Sequence, residues 1–230
     1  MSTILIVMSG ADTWERTDGS RYPTGYWAEE LAAPHAAFVA AGHEVRFASP
    51  GGVLQPLDRH SADPEIAGPD CARHVEHAAA ALRAAGPPRP LAEIDAADHS
   101  AIMIPGGHGP VVDLHQDPEL GRLLHAADAA GAVIGAVCHG PAGLLSATGT
   151  DGSWRFAGRR MTAFTDEEER LFGTAEGAPW LLASRLRERG GRHVGGAPYE
   201  AHVVRDGNLV TGQNPASSAP LAEAMLAALS

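Results

Sequence analysis

"AVIGAVCHGPAGLLSA", residues 132–147, decides how this 230-residue chain is read. Its first six residues are small or apolar and suit a strand buried on both faces of a sheet. Cys138 and His139 follow, then Gly140 and Pro141, then an Ala/Leu run with helical character. The stretch reads as strand, sharp turn and helix, with one of the chain's two cysteines on the turn.

The same grammar recurs outward from it. "STILIVMS" (2–9), "HEVRFASP" (43–50) and "SAIMIPGG" (100–107) are short strands, and the first and last of these, with 132–137, are apolar runs. "YWAEELAAPHAAFVAAG" (26–42) and "DPELGRLLHAADAAG" (117–131) have helical spacing and glycine stops. "RRMTAFT" (159–165) reads as a strand, followed by a Glu-rich turn and helices to about Arg189. "EAHVVRDGNLVTG" (200–212) resembles a hairpin around Asp206-Gly207, and 214–229 closes as a helix. Strands alternating with helices predict an α/β fold, a doubly wound and mostly parallel sheet covered on both faces. One domain over 1–230 is expected, with the looser stretch 51–90 as a cap-like insertion.

Composition removes whole function classes. The net charge of −11 opposes nucleic acid and anionic lipid, both of which need a basic footprint. All 17 bases are arginine, so no side chain can form a Schiff base, anchor pyridoxal phosphate or complete a Walker A loop. No apolar run is long enough for a membrane span, and "MSTILIVMSG" reads as a strand rather than a signal peptide, so a cytoplasmic protein is expected. No G-x-G-x-x-G follows the first strand. His74, Glu76 and His77 lie close together but lack a third ligand at a recognisable spacing. Neither a cofactor nor a metal is expected.

Sites in such sheets form outside the carboxyl ends of the strands. Cys138 and the glycine-rich "PGGHG" (105–109) both fall there. A free cysteine is ordinarily a small buried hydrophobe. Here the turn, the adjacent His139 and the facing glycine loop favour a nucleophile held over a cavity. A helix N-terminus would lower the thiol pKa and favour thiolate at neutral pH. The His139 N–H and a second one, from Gly107 or His108, would form an oxyanion hole. His108 and Asp113 are candidate pocket residues. His139 needs an orienting carboxylate, and "FTDEEERL" (164–171) offers Asp166, Glu167, Glu168 and Glu169. The structural alternative makes Asp166 an N-cap with Glu169 as its capping-box partner. Glu29 or Glu30, if turned inward near Trp27, would gain a raised pKa and act beside the thiol.

The segments "ILIVMSG", "TGYWAEELAAP", "IPGGHGPVVDL", "GAVCHGPAGL", "MTAFTDEEE" and "LVTGQNPASS" together resemble the ThiJ/PfpI superfamily, which is similar to class I glutamine amidotransferase domains. "TGYWAEELAAP" looks like the branch holding glyoxalase III and the heat-shock chaperone-like members. The resemblance implies a flavodoxin-like fold and a homodimer. It makes Cys138 the nucleophile, His139 its partner, Glu169 the third member with Glu168 second, and Glu30 the helix carboxylate at the thiol. It gives the oxyanion hole to the Gly107 and His139 amides. It implies a glutathione-independent glyoxalase that turns methylglyoxal or related 2-oxoaldehydes into 2-hydroxy acids. A stress-response chaperone, deglycase or redox sensor is the second expectation, and another small-molecule hydrolase or hydratase the third. The late segment "PYEAHVV" reverses the amidotransferase H-x-E order, with Glu200 before His202, which argues against glutamine hydrolysis.

Overall fold

The computed structural model describes residues 2–230. In chain order the elements are β1 (Thr3–Val7), β2 (Thr13–Glu15), β3 (Arg21–Pro23), α1 (Ala28–Ala40), β4 (Glu44–Ser49), α2 (Pro64–Ala67) and α3 (Cys71–Ala85). Then come β5 (Arg89–Pro90), β6 (Ala101–Ile104), α4 (Pro118–Ala129), β7 (Val133–Val137), β8 (Arg160–Met161), α5 (Asp166–Phe172) and α6 (Leu182–Glu188). β9 (Arg192–His193), β10 (Val203–Asp206), β11 (Leu209–Gly212) and α7 (Ser218–Leu229) complete the chain.

Seven strands form the main sheet in the order β10-β11-β7-β6-β1-β4-β5, parallel except for the β10–β11 hairpin. This is the mostly parallel α/β sheet that the alternating pattern predicts. Alternate residues along the central strands face opposite layers, as the two-residue period requires. Leu5, Val7, Ile102, Ile104, Ile134 and Ala136 pack with α4 and α6 through Leu120, Leu124, Leu182 and Leu186. Ile4, Ile6, Met103, Val133 and Val137 pack with α1, α3 and α7 through Leu31, Phe38, Leu82, Leu221 and Met225.

Four details depart from the expectations. The stretch after Cys138 is a 3₁₀ helix, Gly140–Ser146, rather than an α-helix. The 159–165 strand shrinks to β8, which pairs with β9 outside the main sheet. Of the 51–90 stretch expected as a cap, residues from Cys71 onward belong to the main architecture. α3 packs beside α1 as an ordinary crossover helix, and β5 is the edge strand next to β4. Pro87-Pro88 follows the Gly86 cap of α3, just before this two-residue strand, which is too short to show a period. Finally, β2 and β3 form a small hairpin across the "TDGS" turn, which the sequence signalled by Asp18-Gly19.

Candidate active site

β6 and β7 are neighbours in register, Ile104 opposite Ala136, so the loops that leave them emerge side by side. Cys138 directly follows β7, with φ 58. That left-handed conformation costs a non-glycine residue of order 1–3 kcal/mol and persists only where the surroundings impose it. Two hydrogen bonds impose it here. The Cys138 N–H donates to the Gly212 carbonyl at 3.0 Å, and the Phe164 N–H donates to the Cys138 carbonyl at 2.9 Å. The tight turn also requires Gly140, since a Cβ there would lie 2.1 Å from the Ile104 carbonyl oxygen.

The turn brings the expected groups together. Cys138 Sγ and His139 Nδ1 are 3.3 Å apart. His139 Nε2 and Glu169 Oε1 are 2.6 Å apart. Thr174 donates its hydroxyl to the other oxygen of Glu169. Burial alone would raise the Glu169 carboxyl, but the adjacent His139 imidazole, assisted by His108, pulls it well below the usual range and keeps it ionised. Burial, then the neighbouring His108, lowers His139.

Glu169 and its neighbour Glu168 have separate work. Glu168 is the capping-box residue of α5: the N-cap is Thr165, one residue earlier than the expected Asp166, which moves the N3 partner from Glu169 to Glu168. Glu168 also accepts from the Tyr199 N–H at 2.9 Å and from the Asn214 side-chain amide at 2.8 Å. Its oxygens are committed, and Glu169 is the residue left facing His139. Asp166 instead binds Ser184 and Arg187 on the surface.

Glu30 is fully buried on α1. The Gly106 N–H donates to its Oε2 at 2.7 Å, and its Oε1 has no partner among the described residues. Burial raises its pKa to about 8, against the lowering effect of the Cys138 thiol and the Gly106 amide. The carboxyl is therefore mostly protonated at neutral pH. Glu29, half-buried, is also raised, to about 7, by burial and then Asp70, but it is Glu30 that meets the Gly106 amide and the Cys138 thiol.

The thiol itself corrects an expectation. Burial first, and Glu30 second, push Cys138 well above its ordinary value. A lowered thiol pKa presumed the full dipole of an α-helix and an open site. The structure supplies a short 3₁₀ helix and an enclosed thiol, so the resting group is SH and needs a base.

Gly107 has φ 79, and a Cβ there would fall 2.0 Å from the Gly25 carbonyl oxygen. Its N–H has no acceptor among the described residues, whereas the His108 N–H donates to Thr24 Oγ1 at 3.1 Å. Of the two alternatives, Gly107 is the amide left free to face a ligand oxygen. The His108 ring lies instead over the site, stacked on Trp14 at 4.8 Å, 4.3 Å from the His139 ring, with Nε2 3.7 Å from Glu169. His108, His139 and Glu169 hold ligand atoms close enough to share a cation, at the expense of the His139–Glu169 bond. Asp113 is turned away to Ser9 and Gly10 and has no place in the cavity. Cys71 and Cys138 are both free. His77 pairs with His35 at 3.1 Å, away from the site. Glu200 is exposed and His202 bonds to the Val194 carbonyl.

A cavity of about 440 Å³ opens over the thiol. Besides Gly107, His108, Cys138 and His139, its walls include Trp27, Phe164, Phe172, Tyr22 and His60. The last four escaped the motif reading. The turn "TDGS" was the available signal for Tyr22; the others sit on loops and helix ends that carry no periodicity.

The DJ-1/PfpI family profile matches residues 24–228, and the chain belongs to that family. The glutamine amidotransferase-like class 1 domain-containing protein 1 of Bos taurus is 36% identical over 146 residues, 63% of this chain and 66% of its own length, so the match spans just under two thirds of that relative. The glutathione-independent glyoxalase hsp3101 of Schizosaccharomyces pombe is 30% identical over 226 residues, 90% of each chain. The crystal structure of glyoxalase III from Candida albicans has the same fold, with a TM-score of 0.82 at 24% identity over 99% of this chain and 97% of that one.

Proposed function

We propose that this DJ-1/PfpI member is a glutathione-independent glyoxalase of the glyoxalase III type, converting a 2-oxoaldehyde and water into a 2-hydroxy acid. The observation that carries the reading is Cys138, held at φ 58 with His139 Nδ1 3.3 Å from its sulfur and the protonated Glu30 beside it. The similarity to the full-length glyoxalase of S. pombe supports it.

His139 takes the thiol proton, and the sulfur adds to the aldehyde carbon. The Gly107 and His139 N–H groups hold the oxyanion, and Glu30 gives it a proton. The Glu30 carboxylate then takes the hydrogen from the former aldehyde carbon while His139 gives its proton to the neighbouring oxygen, which yields an enediol. Glu30 returns the hydrogen to the adjacent carbon, and His139 recovers a proton from the first oxygen. The product of these transfers is a 2-hydroxy thioester. Water hydrolyses it: one water proton returns to Glu30, hydroxide joins the acyl carbon, and His139 reprotonates the leaving sulfur. Each placed proton transfer is worth about 10²–10⁴ in rate. Glu169, ionised, orients His139 and stabilises its charged form.

The homodimer, the cytoplasmic setting and a stress-response role belong to the same proposal. Among the described residues no helix is long and apolar enough to cross a membrane. The deciding experiment is lactate formation from methylglyoxal without glutathione, by the wild-type chain and by Cys138→Ala. Turnover that survives the substitution overturns the assignment.

A further inference from the structure

Two non-glycine residues among those described have positive φ, Cys138 at 58 and Tyr199 at 61. Both line the same cavity. An aromatic residue in the left-handed region is strained and needs a reason to stay there. Buried Glu168 holds it, accepting the Tyr199 N–H at 2.9 Å, with the phenol hydroxyl donating to the Glu168 carbonyl at 3.4 Å. The strained backbone presents the ring at the cavity mouth, where it stays 46% exposed.

Tyr199 has company there. Leu171 on α5 is 61% exposed and Ile66 on α2 is 45% exposed, and both line the mouth. Three separate elements thus bring large apolar side chains to one opening, at a cost in exposed apolar surface that the fold does not require. Inside, Trp27, Phe164 and Phe172 continue the apolar wall. Among the described residues no arginine, aspartate or glutamate forms part of the cavity wall, Glu30 being fully buried against Gly106, so the wall carries no permanent charge to pair with a charged substituent. A volume of about 440 Å³ lies in the range that encloses ligands far larger than a three-carbon aldehyde.

We propose that Tyr199, Leu171 and Ile66 form a specificity rim selecting 2-oxoaldehydes with a bulky apolar substituent, aryl or branched alkyl, over methylglyoxal. This rests on the glyoxalase reading and names its substrate class. Formation of the 2-hydroxy acid is atom-balanced for any substituent, which takes no part in the proton transfers. The substituent points outward along the apolar wall while the aldehyde carbon meets the thiol.

The test compares kcat/KM for phenylglyoxal and methylglyoxal in the wild type, in Leu171→Ser/Tyr199→Gly and in Tyr199→Phe. Glycine keeps the backbone conformation at 199 and removes the ring. A ratio of about 10 or more for phenylglyoxal is expected in the wild type, since even one methylene in a fitted apolar pocket is worth about 10-fold. The double substitution lowers that ratio about 10-fold, and Tyr199→Phe retains it. A wild-type ratio near one, or a ratio untouched by the double substitution, overturns the rim. If neither aldehyde yields acid, the glyoxalase reading fails, and the rim is then judged by binding. Mandelate should quench the intrinsic tryptophan fluorescence at about 10-fold lower concentration than lactate, and lose that advantage in the double variant. Equal binding of the two acids overturns the rim.

Discussion

The floor of the cavity and its mouth are built on opposite principles. The floor is dense and committed: Cys138, His139, Glu30 and Glu169 are all buried, and a Cβ on Gly106, Gly107 or Gly140 would strike backbone or Glu30. The mouth is apolar and half in water, and its residues come from a short helix, a helix end and a loop rather than from the sheet. The thiol, its histidine and the glycine loop sit at strand ends that cannot move without breaking the core, and the two carboxylates meet them from α1 and α5. Selection is set by appendages that can change with little cost to folding.

The strongest way to break the contrast is at the floor. Cys138→Ala should abolish lactate formation, a fall of about 10⁴ or more, with folding intact by circular dichroism. Gly107→Ala forces a Cβ against the Gly25 carbonyl, so it should lower Tm and reduce turnover by at least ~10² together; unchanged Tm and turnover would show the loop to be pliant. Glu169→Gln should cost about 10² in kcat by mispositioning His139, whereas Glu168→Gln should act mainly on stability, by about 1–3 kcal/mol in urea melts, through the α5 cap and the Tyr199 loop. Equal kinetic losses in the two variants would erase the distinction between the neighbouring carboxylates.

A smaller effect should appear in pH dependence. Folding raises Glu30 from 4.5 to about 8, so the folded chain binds more protons between those values. Its contribution to stability is complete below pH 4.5 and is lost as pH rises through about 8. Glu30→Gln, permanently neutral, should flatten that decline in a series of melts from pH 5 to 8. Glu169 has the opposite sign: its lowered carboxyl contributes above pH 4.5 and loses that contribution as acid is added. The mouth substitutions should change substrate ratios most and stability least.

The sheet was legible because short apolar runs between helical periods have few other readings. The elbow was legible because Cys138, the glycine loop and the α1 glutamate lie in compact motifs. What the sequence concealed depended on contacts between segments. Whether Glu168 or Glu169 met His139 turned on a cap beginning at Thr165 rather than at Asp166. The thiol shift went the other way because enclosure, invisible in a local stretch, outweighs a short helix's dipole. Tyr199 lies in "GGAPYEAH", whose composition says loop and nothing about which backbone N–H reaches back to a carboxylate thirty-one residues earlier in the chain.

The peptide bonds on both sides of Cys138 are stitched to Gly212 and Phe164. An amide so placed exchanges with solvent only when the central strands themselves open. Hydrogen exchange at Cys138 should therefore track global unfolding, while alkylation of its sulfur by a small reagent proceeds in the folded chain. The two clocks attached to one residue separate the lifetime of the fold from the breathing of its doorway.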